Sequence, residues 1–451
     1  MGPIFPRFVV VTPARSSAGR RQIRRYACAL VLISLVTVVP AHGADGPRCL
    51  GRKATIVGSP GRDLLRGTKG ADVIVGLDGR DRILGRGGDD RLCGGQGNDR
   101  LSGGPGSDQI AAGDGANDVV TGGRGNDHLD GGPGPADTLD YSVGDLPPVE
   151  VVMRAGIARG QGTDEFDDFE NITGTNGDDS IYGDDGANVV NALDGDDTML
   201  GNGGPDFFLA AGGNDTVNGG PAPDIIDFFF SGAPGPVTVD LAAGTATGQG
   251  NDVLISIEGA GGSEFDDSLT GENSANGLFG FGGNDLLSGG PGNNDFLQGD
   301  VGDDVLDGGT GTGDAADYYS VADPSGPVQV DLTAGTATGQ GADLLAAIDK
   351  VNGTLGDDSL TGDELGNTLF GFEGDDTILG LAGDDFLVGR EGTDVLDGGE
   401  GSDDCVSGET NLNCEYIYLL PRRGLRSAGV WGRLQLLTFE GDFRISPYRS
   451  R

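Results

Sequence analysis

Aspartate recurs every nine residues through most of this chain, and that spacing carries the chemistry. The first run is Asp63, Asp72, Asp81, Asp90, Asp99 and Asp108 without insertion, then Asp118 and Asp127 after one extra residue. The series returns as Asp179, Asp197, Asp206, Asp215 and Asp224, and again as Asp267, Asp285, Asp295 and Asp304. It ends with Asp358, Asp376, Asp385, Asp394 and Asp403. In each later series the second member is asparagine instead: Asn188, Asn276 and Asn367. Carboxylates stacked by a repeating fold repel one another, and a hard, oxygen-seeking divalent cation between each pair turns that repulsion into coordination. Magnesium holds its waters and suits a carbonyl-rich cage less well than calcium does. The motif contains no Cys or His, which disfavours zinc and copper.

The residues around each aspartate say how it must be positioned. From Gly58 the chain reads GSPGRDLLR, GTKGADVIV, GLDGRDRIL and GRGGDDRLC, a nonapeptide of the form G-G-x-G-x-D-x-U-x with U a large aliphatic. Position eight is Leu65, Ile74, Ile83, Leu92, Leu101, Ile110, Val120 and Leu129 in turn. Residues one to six are turn-like, with glycines that permit positive φ and leave carbonyls exposed. Residues seven to nine make a short strand with only position eight facing inward. Two units complete an 18-residue coil, so units i and i+2 stack about one strand spacing apart. Asp63 then lies over Asp81, and Asp72 over Asp90, in files of carboxylates at roughly 5 Å intervals.

The nonapeptides resemble the repeats-in-toxin (RTX, haemolysin-type) calcium-binding family over most of residues 49–415. The resemblance implies an all-β fold, a parallel β-roll (a right-handed β-solenoid) with multiple calcium ions in the turns between successive coils. The ligands it implies are the position-six aspartates named above, together with carbonyls of the glycine-rich loops.

Spacers divide the repeats into about four tandem blocks. GPVTVDLAAGTATGQGND at 235–252 returns as GPVQVDLTAGTATGQGAD at 326–343, and PVEVVMRAGIARGQGTD at 148–164 is a worn copy. The expected organisation is a signal peptide at 1–43 and a first roll at 49–140. Spacer-plus-roll modules follow at 141–227, 228–317 and 318–415, and a basic tail at 416–451. The aromatic starts of the spacers, Tyr141, Phe228 to Phe230 and Tyr318-Tyr319, read as packing plugs rather than as a ligand patch.

Composition fits a metal-filled repeat better than ordinary domains. Glycine accounts for 88 of 451 residues and hydrophobic residues for 36%, too little for conventional close-packed domains. Residues 45–415 carry 16 basic and 69 acidic side chains, a net of −53, which argues against a nucleic-acid partner. One buried position-eight aliphatic contributes about 1.5–3 kcal/mol. Ordering nine backbones costs about 9–18 kcal/mol. Strand hydrogen bonds offset only part of the difference, so folding is expected to be coupled to ion binding. The expected affinity per site is about 10⁻⁴–10⁻³ M.

The amino terminus reads as an export signal. Arg20, Arg21, Arg24 and Arg25 precede an apolar run from Ala27 to Val39, with Ala41 and Gly43 as small residues before the cleavage point. The run is too short to span a bilayer. A secreted, extracellular protein without a transmembrane segment in its mature form is therefore expected, with cell-surface association as an extension. Four cysteines remain after cleavage. Cys405 and Cys414 fall at position eight of consecutive frames and are expected to bridge the end of the roll. Cys49 and Cys93 would lie over two coils apart in a regular roll. A bond between them requires the first unit to fold back as a cap, and free thiols are the alternative.

No catalytic residue is expected. H-E-x-x-H and G-x-S-x-G are both missing, and His128 sits at an outward position seven. Paired acids such as Asp89-Asp90 and Asp375-Asp376 are positions five and six of the repeat. Two functions remain open: a calcium-dependent structural or surface-interaction scaffold, with a cell-envelope or polysaccharide surface as partner, or an accessory module of a secreted calcium-dependent enzyme.

Overall fold

The structure is a computed structural model. It describes residues 46–144, 147–319, 326–408, 410–414 and 416–418. The signal-peptide region and tail residues 419–451 lie outside the described residues.

Position eight builds the fold as the periodicity requires. Ile74, Ile83, Leu92, Leu101, Ile110, Val120 and Leu129 are buried, and most of the flanking strand positions, Val75 and Thr121 apart, are not. Alternate units supply alternate sheets. Leu65 pairs with Ile83, Ile83 with Leu101 and Leu101 with Val120 in one parallel sheet. In the other, Ile74 pairs with Leu92, Leu92 with Ile110 and Ile110 with Leu129. Two three- to six-residue strands and two glycine-rich turns thus close each coil of an all-β solenoid, whose core is a single file of aliphatics between the sheets.

The sequence left open whether the four blocks form one roll. One sheet runs unbroken from Leu64–Arg66 to Tyr416–Tyr418, every neighbour pair parallel. It passes each spacer by direct pairing: Thr138–Asp140 on Asn171–Thr173, Ile225–Asp227 on Gly259–Ser263, and Ala315–Asp317 on Lys350–Asn352. The blocks are therefore joined in one solenoid rather than standing as four separate rolls.

The other sheet takes in each spacer as an inserted antiparallel ribbon. In the first, Glu150–Val152 pairs antiparallel with Ile157–Arg159, which pairs antiparallel with Thr163–Asp167. Thr163–Asp167 then continues His128–Asp130 in parallel, and Glu150–Val152 leads into Ser180–Tyr182. Thr238–Asp240, Thr245–Thr247 and Asn251–Ile255 repeat this arrangement, as do Gln329–Asp331, Thr336–Thr338 and Ala342–Ala346. Inward residues of the ribbons, Val151 with Ala158, Val239 with Ala246 and Val330 with Ala337, are buried.

Each ribbon widens one sheet more than its opposite, and large side chains fill the space between. Tyr141, Phe228 and Tyr318 are buried there, as the plug reading requires. Their neighbours turn outward. Phe229 stacks on Phe281 with centroids 4.5 Å apart, and Tyr319 lies 4.9 Å from Phe372 on the outer face of the unbroken sheet.

Both ends are closed by disulfides. Arg48–Cys49 and Arg52–Lys53 form a small antiparallel hairpin, which folds back so that Cys49 reaches Cys93. Cys405 bonds Cys414 at a Cα separation of 6.0 Å. The frame there differs from expectation: Asn411, not Cys414, pairs beside Leu396, because the last half-coils shorten from nine residues to six. Tyr416–Tyr418, at the start of the segment read as a tail, is the last strand of the unbroken sheet.

Candidate metal ladder

Beyond the first coil, each position-six carboxylate is placed by the turn before its strand and bound to the coil before it. The N–H of Asp63 donates to Oδ1 of Asp81 at 2.7 Å, that of Asp81 to Asp99 at 2.7 Å, and that of Asp99 to Asp118 at 2.5 Å. The second file repeats the pattern: Asp72 to Asp90 at 2.7 Å, Asp90 to Asp108 at 2.8 Å, and Asp108 to Asp127 at 2.8 Å. One oxygen of each carboxylate thus ties successive coils together.

The other oxygen has no protein donor. Oδ2 is buried and without a hydrogen-bond partner at Asp81, Asp90, Asp99, Asp108, Asp118, Asp127, Asp197, Asp206, Asp215, Asp224, Asp285, Asp295, Asp304, Asp376 and Asp385. The first glycine of the repeat gives that oxygen room. A Cβ on Gly94 would sit 2.4 Å from Asp99 Oδ2 and 2.4 Å from the carbonyl oxygen of Ala112 in the next coil. Carboxylate and carbonyl oxygens therefore converge on the same point, and any side chain there would displace them.

The electrostatics follow from burial. Loss of water pushes Asp99 and Asp108 up to about 7, and Asp197, Asp206 and Asp285 up to about 8, with repulsion from neighbouring aspartates adding to the shift. A buried acid file of this kind requires protons or cations to compensate it. Among the described residues, no three His, Cys, Asp or Glu side chains converge into a centre built of side chains alone. The donor set is one carboxylate oxygen plus loop carbonyls, an all-oxygen environment that fits calcium.

The structure adds ladder members that the repeat frame did not give. Asp137, Asp252 and Asp314 also carry buried, unpartnered Oδ2 atoms. Asp164, Asp252 and Asp343 accept from the N–H groups of Asp127, Asp215 and Asp304, so the file runs into each ribbon. Their signal was in the sequence: GQGTD, GQGND and GQGAD are the middle of a nonapeptide, with Phe166, Leu254 and Leu345 at position eight. Asp137 and Asp314 stand one residue late, after an insertion in their loops. Glu170, Glu258 and Asp349 continue the other file past the ribbons, accepting from the N–H groups of Asp137, Asp224 and Asp314.

Five expected ligands stand in a different environment. Asp63, Asp72, Asp179, Asp267 and Asp358 each face a Ser or Thr at position two of their own unit. Thr175 donates its N–H to Asp179 Oδ2 at 2.5 Å and its hydroxyl to Oδ1 at 2.9 Å. Asp394 and Asp403 keep their places in the files: Asp376 N–H donates to Asp394 at 3.1 Å and Asp385 N–H to Asp403 at 2.9 Å.

His128 lies on the outside, 3.9 Å from Glu165. Position-five acids such as Asp89 and Asp178 accept from backbone N–H groups of the next coil, a structural use of the paired acids.

Comparison with known proteins agrees with this geometry. No curated protein matches the chain. The family model for the RTX calcium-binding nonapeptide repeat matches residues 57–92, 85–117, 112–135, 166–199, 192–226, 261–294, 294–313 and 370–405, just over half of the chain. With the coil, the ladder and the matched repeats in agreement, the chain belongs to the RTX calcium-binding nonapeptide repeat family.

Proposed function

We propose that this protein is a secreted scaffold that folds on binding calcium outside the cell and presents a long, rigid solenoid for structural or surface-interaction use. The observation that carries the reading is the file of buried Oδ2 atoms without donors, repeated coil after coil. Unfilled, that file opposes folding, because each buried unpaired acid costs free energy. Calcium, when bound, supplies the positive charge that the net −53 of residues 45–415 demands. Dependence of the fold on the ion would suit export: the chain stays unfolded where calcium is scarce and closes where it is abundant.

The ladder residues that would hold the ions are the position-six aspartates with an unpartnered Oδ2, joined by Asp137, Asp252 and Asp314, together with carbonyls of the loops. Among the described residues no helix is long and apolar enough to cross a membrane. The amino-terminal basic and apolar segment supports export. A cell-envelope or polysaccharide surface is the partner class proposed, with calcium bridging any anionic sugar to the acidic roll.

The test is a calcium titration of the mature chain followed by circular dichroism and ion counting. A largely disordered spectrum in chelator and a β spectrum in millimolar calcium are expected. An unchanged spectrum between the two sinks the reading. Pull-down on cell-wall and polysaccharide fractions, with and without calcium, tests the partner class.

A further inference from the structure

The rungs of the ladder are not alike beside the three ribbons. In the rungs that follow each ribbon the protein's own donors occupy the oxygens that stand unpartnered elsewhere. At the first ribbon, Asp179 receives the Thr175 N–H and hydroxyl and also the Val149 N–H at 2.7 Å, from just before the ribbon's first strand. Asp267 and Asp358 are closed in the same way by Ser263 with Val237 and by Thr354 with Val328. In the opposite file the neighbouring rung is asparagine. Asn188 Oδ1 accepts the Asp184 N–H at 2.9 Å, and Nδ2 donates to the Glu170 carbonyl at 3.1 Å. Asn276 does the same with Glu272 and with the Glu258 carbonyl. The carbonyl of Gly183 is itself taken by Asn202 Nδ2 at 2.9 Å. At the third ribbon a cation is built in: Lys350 Nζ donates to the Gly313 carbonyl at 2.7 Å.

The amide of asparagine is neutral and carries two donors, so at 188 and 276 it completes a rung with no positive ion, and Asn367, equally neutral, accepts the Asp363 N–H at 2.8 Å. A carboxylate that already accepts three hydrogen bonds has its charge compensated by the protein and has little to offer a cation. We propose that the two rungs after each ribbon (Asp179 with Asn188, Asp267 with Asn276, Asp358 with Asn367) are closed to calcium, so that the ions form separate runs between three calcium-independent seams. Each seam comprises the ribbon, its aromatic plug and the closed rungs, and it stays ordered where the runs do not, giving the coils a template to grow from when calcium arrives. This rests on the calcium reading above.

Calcium bound per chain, counted by native mass spectrometry at saturating calcium, tests the proposal on the full mature chain. Asp179→Asn is expected to bind as many ions as the parent, and Asp197→Asn fewer. The triple variant Asn188→Asp, Asn276→Asp, Asn367→Asp is expected to gain up to three ions, since each change restores a charged oxygen with no second donor. Loss of ions from D179N equal to that from D197N overturns the proposal, and so does a parental count in the triple variant. A parent that binds no calcium at all overturns the calcium reading itself, which keeps the two failures apart. Hydrogen exchange in chelator reads the seams directly: protection is expected to persist in 149–182, 237–270 and 328–361 while 81–130 exchanges freely. Equal exchange across all four segments removes the template role.

Discussion

The backbone N–H of Asp81 donates to Oδ1 of Asp99, 2.7 Å away and one coil further along the chain, while Oδ2 of Asp99 is buried with no donor. One carboxylate thus does two jobs: one oxygen joins coils and the other is left for an ion. The two jobs separate under substitution.

Asp99→Asn keeps an acceptor for Asp81 and removes the charge. In calcium it should lose a site. At 10 mM ion and a site constant of about 10⁻⁴–10⁻³ M, that costs about 1.4–2.7 kcal/mol. In chelator the same change should stabilise the roll, because a buried unpaired acid is gone. Denaturant midpoints with and without calcium check the reversal, and destabilisation in both conditions refutes it.

Acid should favour the ion-free roll. Asp197, Asp206 and Asp285 stand at about 8 when buried without a cation, above the usual carboxylate value. A raised folded-state value contributes stability that is full below about pH 4 and lost as pH rises through about 8. In chelator, β content should therefore increase from pH 8 down to pH 4. In calcium the order inverts, since protons compete for the same oxygens. Circular dichroism across that range in both buffers decides the sign.

Two glycines at the same repeat position should respond differently. Gly97 has φ +118°, and a Cβ there would meet the Gly79 carbonyl at 1.9 Å. Gly61, also at position four, lies at the open end of the stack with nothing within 4 Å. Gly97→Ala should cost at least about 2 kcal/mol. Gly61→Ala should be near neutral, within about 0.5 kcal/mol. Calcium-saturated melting temperatures of the two variants make the comparison.

The disulfides should differ in weight. Cys49–Cys93 closes a separation of 44 residues and Cys405–Cys414 one of 9. Chain-entropy arguments give about 4 and about 3 kcal/mol respectively. Cys49→Ser with Cys93→Ser should lower the thermal midpoint more than Cys405→Ser with Cys414→Ser. The reverse order would show that the carboxy-terminal bond secures more than its own loop.

Much of the fold was legible in the residues because the repeat is local. A nine-residue period places Ile83 and Leu101 inward, and Asp81 under Asp99, with no knowledge of the rest of the chain. Asp164, Asp252 and Asp343 were harder to find, since their unit is embedded in a spacer whose Thr/Val pattern dominates it. The position of Cys414 was misplaced because the last half-coils drop three residues, and only pairing of Asn411 beside Leu396 reveals the shift. The asparagines at 188, 276 and 367 were visible as a shared lapse but had no explanation until each was seen beside a ribbon.

The sequence by itself determined the coil, the inward aliphatic and the carboxylate at each turn, because steric freedom at glycine and the two-residue alternation of a strand act over a few residues. Tertiary structure alone decided that one sheet runs unbroken while the other takes in three ribbons, since that depends on pairings such as His128 with Glu165, 37 residues away, and Glu150 with Ser180, 30 residues away. The closed carboxylates draw on both levels. Asp179 and Asp197 each accept an N–H across a strand pairing, from Val149 and from Asp179, which folding decides, whereas the further donors that close Asp179, the N–H and hydroxyl of Thr175, lie four residues away in the sequence.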